Sequence, residues 1–110
     1  MIRLAIADDQ PLFRRAFVLL LRDMPDVQVM FDSANGEELL TGLKGNEVDI
    51  VLLDLEMPVM DGETATRLLR ADPRFANLPV IAMTANAMEA DRQRCFAVGM
   101  NDHVAKPIDP

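Results

Sequence analysis

Four consecutive apolar residues, Ile50-Val51-Leu52-Leu53, run straight into an aspartate, and the chain then turns at Met57-Pro58. A run of that length is too short for a helix, and it lacks the alternation of a half-wet strand, so it reads as a strand buried on both faces. Such strands belong to parallel sheets, whose crossovers lay helices on both sides. Asp54 therefore stands at the carboxyl end of a central strand, where open α/β sheets place their ligands. Asp61-Gly62 opens the following helix, with Asp61 as its N-cap. A lone aspartate after a strand usually just starts a loop, but Asp54 has company.

Leu4 to Ala7 is a second short apolar run, and it too ends in carboxylates, Asp8-Asp9. Gln10-Pro11 then puts proline at a first helical position, and Leu12, Phe13, Ala16, Leu19 and Leu20 recur at helical spacing as far as about Arg22. Val27 to Phe31 alternates enough to be a strand at the sheet edge. Asn35-Gly36 caps a helix whose buried stripe is Leu39, Leu40 and Leu43, and Gly45 marks its end. After the central strand, Gly62 to about Arg70 reads as a helix carrying Ala65, Leu68 and Leu69, stopped by Asp72-Pro73. Pro79 to Met83 is the fourth strand, with Thr84 at its carboxyl end. Asn86 to Val98 is the fourth helix, closed by Gly99, and Asp102 to Ala105 is a short fifth strand leading to Lys106-Pro107. Strand and helix alternate throughout, which implies right-handed crossovers and a doubly wound parallel sheet. The 110 residues suffice for one domain with one core. The chain stops at Ile108-Asp109-Pro110, without the helix that normally follows the last strand, so an apolar strip beside the first helix is expected to be uncovered.

The strand ends bring Asp8, Asp9, Asp54, Thr84 and Lys106 to one rim. Clustered carboxylates without histidine or cysteine make a hard, oxygen-only site suited to Mg²⁺, waters and an incoming phosphate. A lysine and a threonine hydroxyl there can bind phosphate oxygens, and a carboxylate beside Mg²⁺ can act as a nucleophile, forming an aspartyl-phosphate. No Gly-rich phosphate loop follows any strand, so a nucleotide cradle is unsupported. A net charge of −7 argues against direct nucleic-acid binding. No apolar stretch reaches membrane length and no signal peptide opens the chain, making the cytoplasm the default compartment. Cys95, the single cysteine, reads as core filler, as do Met83, Met88 and Met100, while Arg14 and Arg15 read as a solvated helix face.

In these features the sequence resembles the receiver domain of two-component response regulators. The resemblance runs from Asp8-Asp9 through Asp54-Leu55-Glu56-Met57-Pro58-Val59-Met60-Asp61-Gly62 and Thr84-Ala85 to Lys106-Pro107. It implies a flavodoxin-like, five-stranded parallel sheet in the order 2-1-3-4-5, with residues 1–110 forming one receiver domain that lacks its C-terminal helix. It further implies that Asp54 accepts a phosphoryl group from a phosphohistidine of a sensor kinase. Asp9 and Asp54 would bind Mg²⁺ directly with the backbone carbonyl of Glu56, Asp8 mainly through water, while Thr84 and Lys106 hold the phosphoryl oxygens. Lys106-Pro107 is expected to carry a cis peptide. Signalling would pass through Thr84 and an inward-turning residue three places before the lysine, altering the surface of the fourth helix and fifth strand to control an output domain or partner. Here that place holds His103 where the family commonly has Tyr or Phe. It is read either as that switch, with a pH dependence between 5 and 8, or as a half-exposed strand histidine with no special role. Glu56 and Asn86 flank the route of the hydrolytic water. Pro11, Leu12 and Arg15 lie on the helix expected beside the phosphodonor.

Two other classes fit the residues less well. A Mg²⁺-dependent phosphatase similar to the haloacid dehalogenase family needs a second aspartate two residues after its nucleophile, and position 56 is glutamate. A receiver-like module working without phosphorylation is disfavoured because every residue of the phosphorylation site is present. The expected partner is thus a sensor histidine kinase or a histidine phosphotransfer protein, and the domain itself is a switch rather than an enzyme acting on diffusible substrates. The run Met83 to Met88, with Gly99 to Asp102 and Lys106 to Ile108, is similar to receivers of hybrid kinases, whereas the start at Met1 suits a response regulator with a following output domain. A homodimer through the fourth helix and fifth strand stays open.

Overall fold

The computed structural model of the protein describes residues 1–84 and 88–106. Strand and helix alternate as β1 (Ile2–Ala7), α1 (Pro11–Arg22), β2 (Val27–Ser33), α2 (Gly36–Gly45), β3 (Ile50–Asp54), α3 (Gly62–Ala71), β4 (Val80–Thr84), α4 (Glu89–Ala97) and β5 (Asp102–Ala105). All five strands pair in parallel, in the order β2-β1-β3-β4-β5. The sheet order anticipated from the sequence is therefore the one observed, with β2 and β5 at the edges.

Alternation along the strands divides the core in two. Ala5, Ala7, Val51, Leu53 and Ala82 point to the side covered by α2, α3 and α4, where Leu39, Leu43, Ala65, Leu69 and Cys95 meet them. Leu4, Ile6 and Met83 point to the side covered by α1, through Phe13, Val18 and Leu21. Among the described residues one helix covers that second side. In consequence β3 is buried unequally: Val51 and Leu53 are fully enclosed, whereas Ile50 and Leu52 are half-buried rather than covered on both faces as expected.

Several sequence-based stripes shift by a position. On α1 the buried residues are Phe13, Val18 and Leu21, while Leu12, Leu19 and Leu20 face solvent. This helix is apolar around much of its circumference, so periodicity alone does not select the face; contact with β1 and β2 does. In α3, Leu68 is exposed and Thr66 is buried instead, its hydroxyl donating to the Gly62 carbonyl at 2.7 Å and so satisfying itself locally. The α4 helix starts at Glu89, since Met88 is extended and serves as N-cap. Met88 is exposed, unlike the buried Met83 and Met100. Asn86 and the Lys106–Pro107 bond lie outside the described residues.

The caps behave as their side chains dictate. Asn35 accepts from the Glu38 amide at 2.9 Å and Asp61 from the Thr64 amide at 2.8 Å, each satisfying an orphan donor of its helix. At the far end of α4, Gly99 takes φ +104°, and the Gly99 and Met100 amides donate to the carbonyls of Phe96 and Cys95. This is a Schellman closure, and it needs a residue without Cβ. Arg70 of α3 grips the same turn, donating to the carbonyls of Gly99 and Phe75 and to Asn101 Oδ1, which also accepts from the Val80 amide. The start of β5 is thereby fixed, and with it the position of Lys106.

Candidate functional site

β1 lies between β2 and β3, so the chain leaves it in one direction and returns on the other side. A crevice opens at the carboxyl ends where that direction reverses. The register pairs Ala7 with Leu53, which brings the residues that follow each strand level with one another. Asp8 extends β1 by one more hydrogen bond, its amide donating to the Ser33 carbonyl at 3.0 Å. Its Oδ1 accepts from the Gln10 amide at 2.9 Å, and Asp54 Oδ1 accepts from the Glu56 amide at 3.3 Å. Asp8, Asp9 and Asp54 then each offer a carboxylate oxygen within 4.8 Å of the others. Asp8 is fully buried and Asp54 is 5% exposed, while Asp9 faces solvent.

Lys106 arrives from the end of β5, its amide bonded to the Thr84 carbonyl at 2.8 Å. Its ammonium stands 3.0 Å from Asp8 Oδ2, 3.5 Å from Asp54 Oδ2 and 3.4 Å from Gln10 Oε1. Beneath it lies the Phe13 ring, whose centroid is 4.7 Å away, a cation–π contact. Burial pulls the Lys106 pKa down, but the two carboxylates outweigh it and hold the group above its ordinary value. Asp54 is shifted upward too, which for a carboxyl disfavours the charged form. Burial and then the Asp8 charge push it up to about 7, against the pull of Lys106 and the Glu56 amide. One lysine does not neutralise this cluster.

The donor set suits a hard divalent cation. It is oxygen-only, its atoms converge, and buried Asp8 Oδ2 makes no directed hydrogen bond among the described residues, having only the adjacent ammonium. Outward from the carboxylates the crevice widens into a cleft of about 710 Å³ whose lining includes Asp9, Glu56, Met57, Thr84, Asp61 and Arg94. Glu63 of α3 and Arg94 of α4 form an ion pair at its border. Thr84 is half-buried at the end of β4.

The structure thus brings Asp8, Asp9, Asp54 and Lys106 into one cluster, with Thr84 and Glu56 on the wall of the adjoining cleft. His103 is not in that cluster: it sits on β5 opposite Ala82, and its Nε2 is buried without a hydrogen-bond partner among the described residues. Three contributors escaped the sequence reading. Gln10 and Phe13 contact the Lys106 ammonium, and Arg14, read as a solvated residue, turns inward to the Asp8 carbonyl at 2.6 Å. Arg15 is exposed as expected. Only the proximity of residues 10, 13 and 14 to the acidic pair hinted at this, because all three lie in the turn and a half after it.

Residues 4–110 match the family model for the response regulator receiver domain. The signal transduction histidine-protein kinase BarA of Escherichia coli (strain K12) is 36% identical over 102 residues, covering 93% of this chain and 11% of that protein. Response regulator Rre1 of Synechocystis sp. (strain ATCC 27184 / PCC 6803 / Kazusa) is 35% identical over 109 residues, covering 99% of this chain and 47% of that protein. The chain therefore spans about a tenth of the one and about half of the other. Among solved structures, the receiver domain of sensor histidine kinase PA1611 from Pseudomonas aeruginosa PAO1 superimposes with a TM-score of 0.84 at 34% identity, covering 97% of this chain and 86% of that one. In that crystal structure a magnesium ion is coordinated in the active-site cleft.

Proposed function

Because this chain belongs to the response regulator receiver domain family, we propose that it is the phosphoacceptor switch of a two-component phosphorelay, with Asp54 as the acceptor. Residues 1–110 act in this reading as one receiver unit. The observation that carries it is the placement of a buried, incompletely neutralised carboxylate, Asp54, beside a lysine ammonium and two further aspartates at the β1/β3 crevice. In the reaction, a P–N bond of a phosphohistidine breaks, the imidazole nitrogen keeps the electron pair, and a P–O bond forms to the Asp54 carboxylate. The donor is a sensor histidine kinase or a histidine phosphotransfer protein, and hydrolysis of the acyl phosphate by water resets the switch.

Asp8, Asp9 and Asp54, with the Glu56 backbone carbonyl, are the residues that would hold Mg²⁺. When bound, that ion supplies positive charge against the incoming phosphoryl oxygens and relieves the mutual repulsion of the carboxylates. Lys106 contributes a second, fixed charge beside Asp54, and the Thr84 hydroxyl donates to a phosphoryl oxygen. Little else is required, since phosphoryl transfer depends mainly on positioning and electrostatics. Thr84 and His103 relay the change to the α4/β5 surface, which controls an output domain or partner; self-association through that surface is one form the output can take. This is signalling within the cytoplasm, not turnover of a diffusible substrate.

Intact mass after incubation with Mg²⁺ and acetyl phosphate tests the assignment. One added phosphoryl group is expected, absent in Asp54→Ala and absent when Mg²⁺ is chelated. An adduct that survives in Asp54→Ala would place the chemistry elsewhere.

A further inference from the structure

We propose that Arg14 is a positioning residue for the divalent-cation site, holding the Asp8–Asp9 peptide in place from the second turn of α1. The inference rests on the phosphoacceptor reading above and deepens it.

The guanidinium of Arg14 bridges two acceptors on different elements. Its Nη1 donates to the Asp8 backbone carbonyl at 2.6 Å, and its Nε lies 3.1 Å from the Asp32 carboxylate near the end of β2. The side chain is only 20% exposed, whereas neighbouring Arg15 faces solvent. Asp8 is held by hydrogen bonds at three polar atoms, its amide to Ser33, its carbonyl to Arg14 and its Oδ1 to the Gln10 amide, while Oδ2 faces the Lys106 ammonium. Asp9 gains most from this arrangement. Its carboxylate is the exposed member of the cluster, so its reach toward a cation depends on the peptide plane that Arg14 grips. The guanidinium meets the two acceptors with two different nitrogens held in a rigid plane, a geometry that a lysine ammonium does not reproduce.

Charge alone predicts the opposite effect. A guanidinium close to a cation site repels the cation, so removing it would tighten binding if Arg14 acted only through its field. If Arg14 positions the ligands, removing it weakens binding, as loss of groups that orient metal ligands typically does by about tenfold or more. A merely structural role would lower the unfolding midpoint and leave the Mg²⁺ affinity of the folded protein unchanged.

The experiment is a Mg²⁺ titration of the parent, Arg14→Ala and Arg14→Lys, followed through the backbone amide resonances of Asp9 and Gln10. NMR is the suitable probe since the chain contains no Trp or Tyr to report by fluorescence. We expect about tenfold weaker affinity in Arg14→Ala, with Arg14→Lys between it and the parent. Unchanged or tighter binding in Arg14→Ala overturns the proposal. Should Arg14→Ala fail to fold, Arg14→Lys decides: weaker binding supports positioning, and parental affinity overturns it. A parent that shows no saturable Mg²⁺ shifts would instead overturn the phosphoacceptor reading, so the two failures are distinct.

Discussion

Asp54 should destabilise the metal-free protein, and the pH dependence of that effect is set by its surroundings. Burial and the nearby Asp8 charge raise its carboxyl from an ordinary 3.8 to about 7. An acid with a raised folded-state pKa leaves the native protein holding more protons than the unfolded chain between those two values. Stability therefore falls as pH rises from about 4 to about 7 and levels off above. At about 1.4 kcal/mol per pH unit, the window has a ceiling of about 4 kcal/mol. Asp54→Asn removes the charge, and the attraction of Lys106 needs no separate subtraction because it already holds the shift down to this size. The net expectation at pH 8 in EDTA is a variant more stable than its parent by up to about 4 kcal/mol, or on the order of 10 °C or more in Tm. At pH 4.5 the advantage should shrink to about 1 kcal/mol. Saturating Mg²⁺ should stabilise the parent by mass action and largely close the gap at pH 8. Urea unfolding at both pH values, with and without Mg²⁺, measures all four differences. A variant no more stable than the parent at pH 8, or an advantage of equal size at both pH values, would refute the reasoning.

Other perturbations follow from particular contacts. Val59 is a β-branched residue held at φ +68° and is largely exposed, so Val59→Asn should raise stability by about 1 kcal/mol in urea unfolding; a loss would mean the side chain has a role its exposure conceals. A Cβ on Gly62 would stand 2.5 Å from the Asp54 carbonyl oxygen. Gly62→Ala should therefore cost about 1–3 kcal/mol and reduce the yield of phosphorylated protein by mass spectrometry, the second effect separating a displaced site from a general loss of stability. Arg70→Ala removes two hydrogen bonds to the turn before β5 and one to the Phe75 carbonyl in the loop before β4, and should cost about 2–3 kcal/mol. Hydrogen exchange would show the loss as faster exchange concentrated in β5, and uniform acceleration would contradict the assignment of Arg70 to that turn.

What the sequence made legible, and what it did not, divides along a physical line. Signals carried by single residues in sequence order came through: the strand ends at Ala7 and Asp54, the caps Asn35 and Asp61, and the Gly99 closure are where the residues said they would be. Each depends on an interaction within a few residues. The acidic cluster came through for a related reason, since parallel alternation of strand and helix puts every strand's carboxyl end on one rim, whatever the exact register. Choices between faces did not. On α1, Leu12, Leu19 and Leu20 are as apolar as Phe13, Val18 and Leu21, and only packing against β1 and β2 separates them. Arg14 illustrates the same limit at the site. Its contacts with Asp8 and Asp32 join a helix to two strands, and adjacent Arg15 carries the same charge with none of that geometry. The residues of the acidic cluster are placed by topology and can be read early, whereas the residues that hold them are placed by packing and emerge only once the elements are assembled.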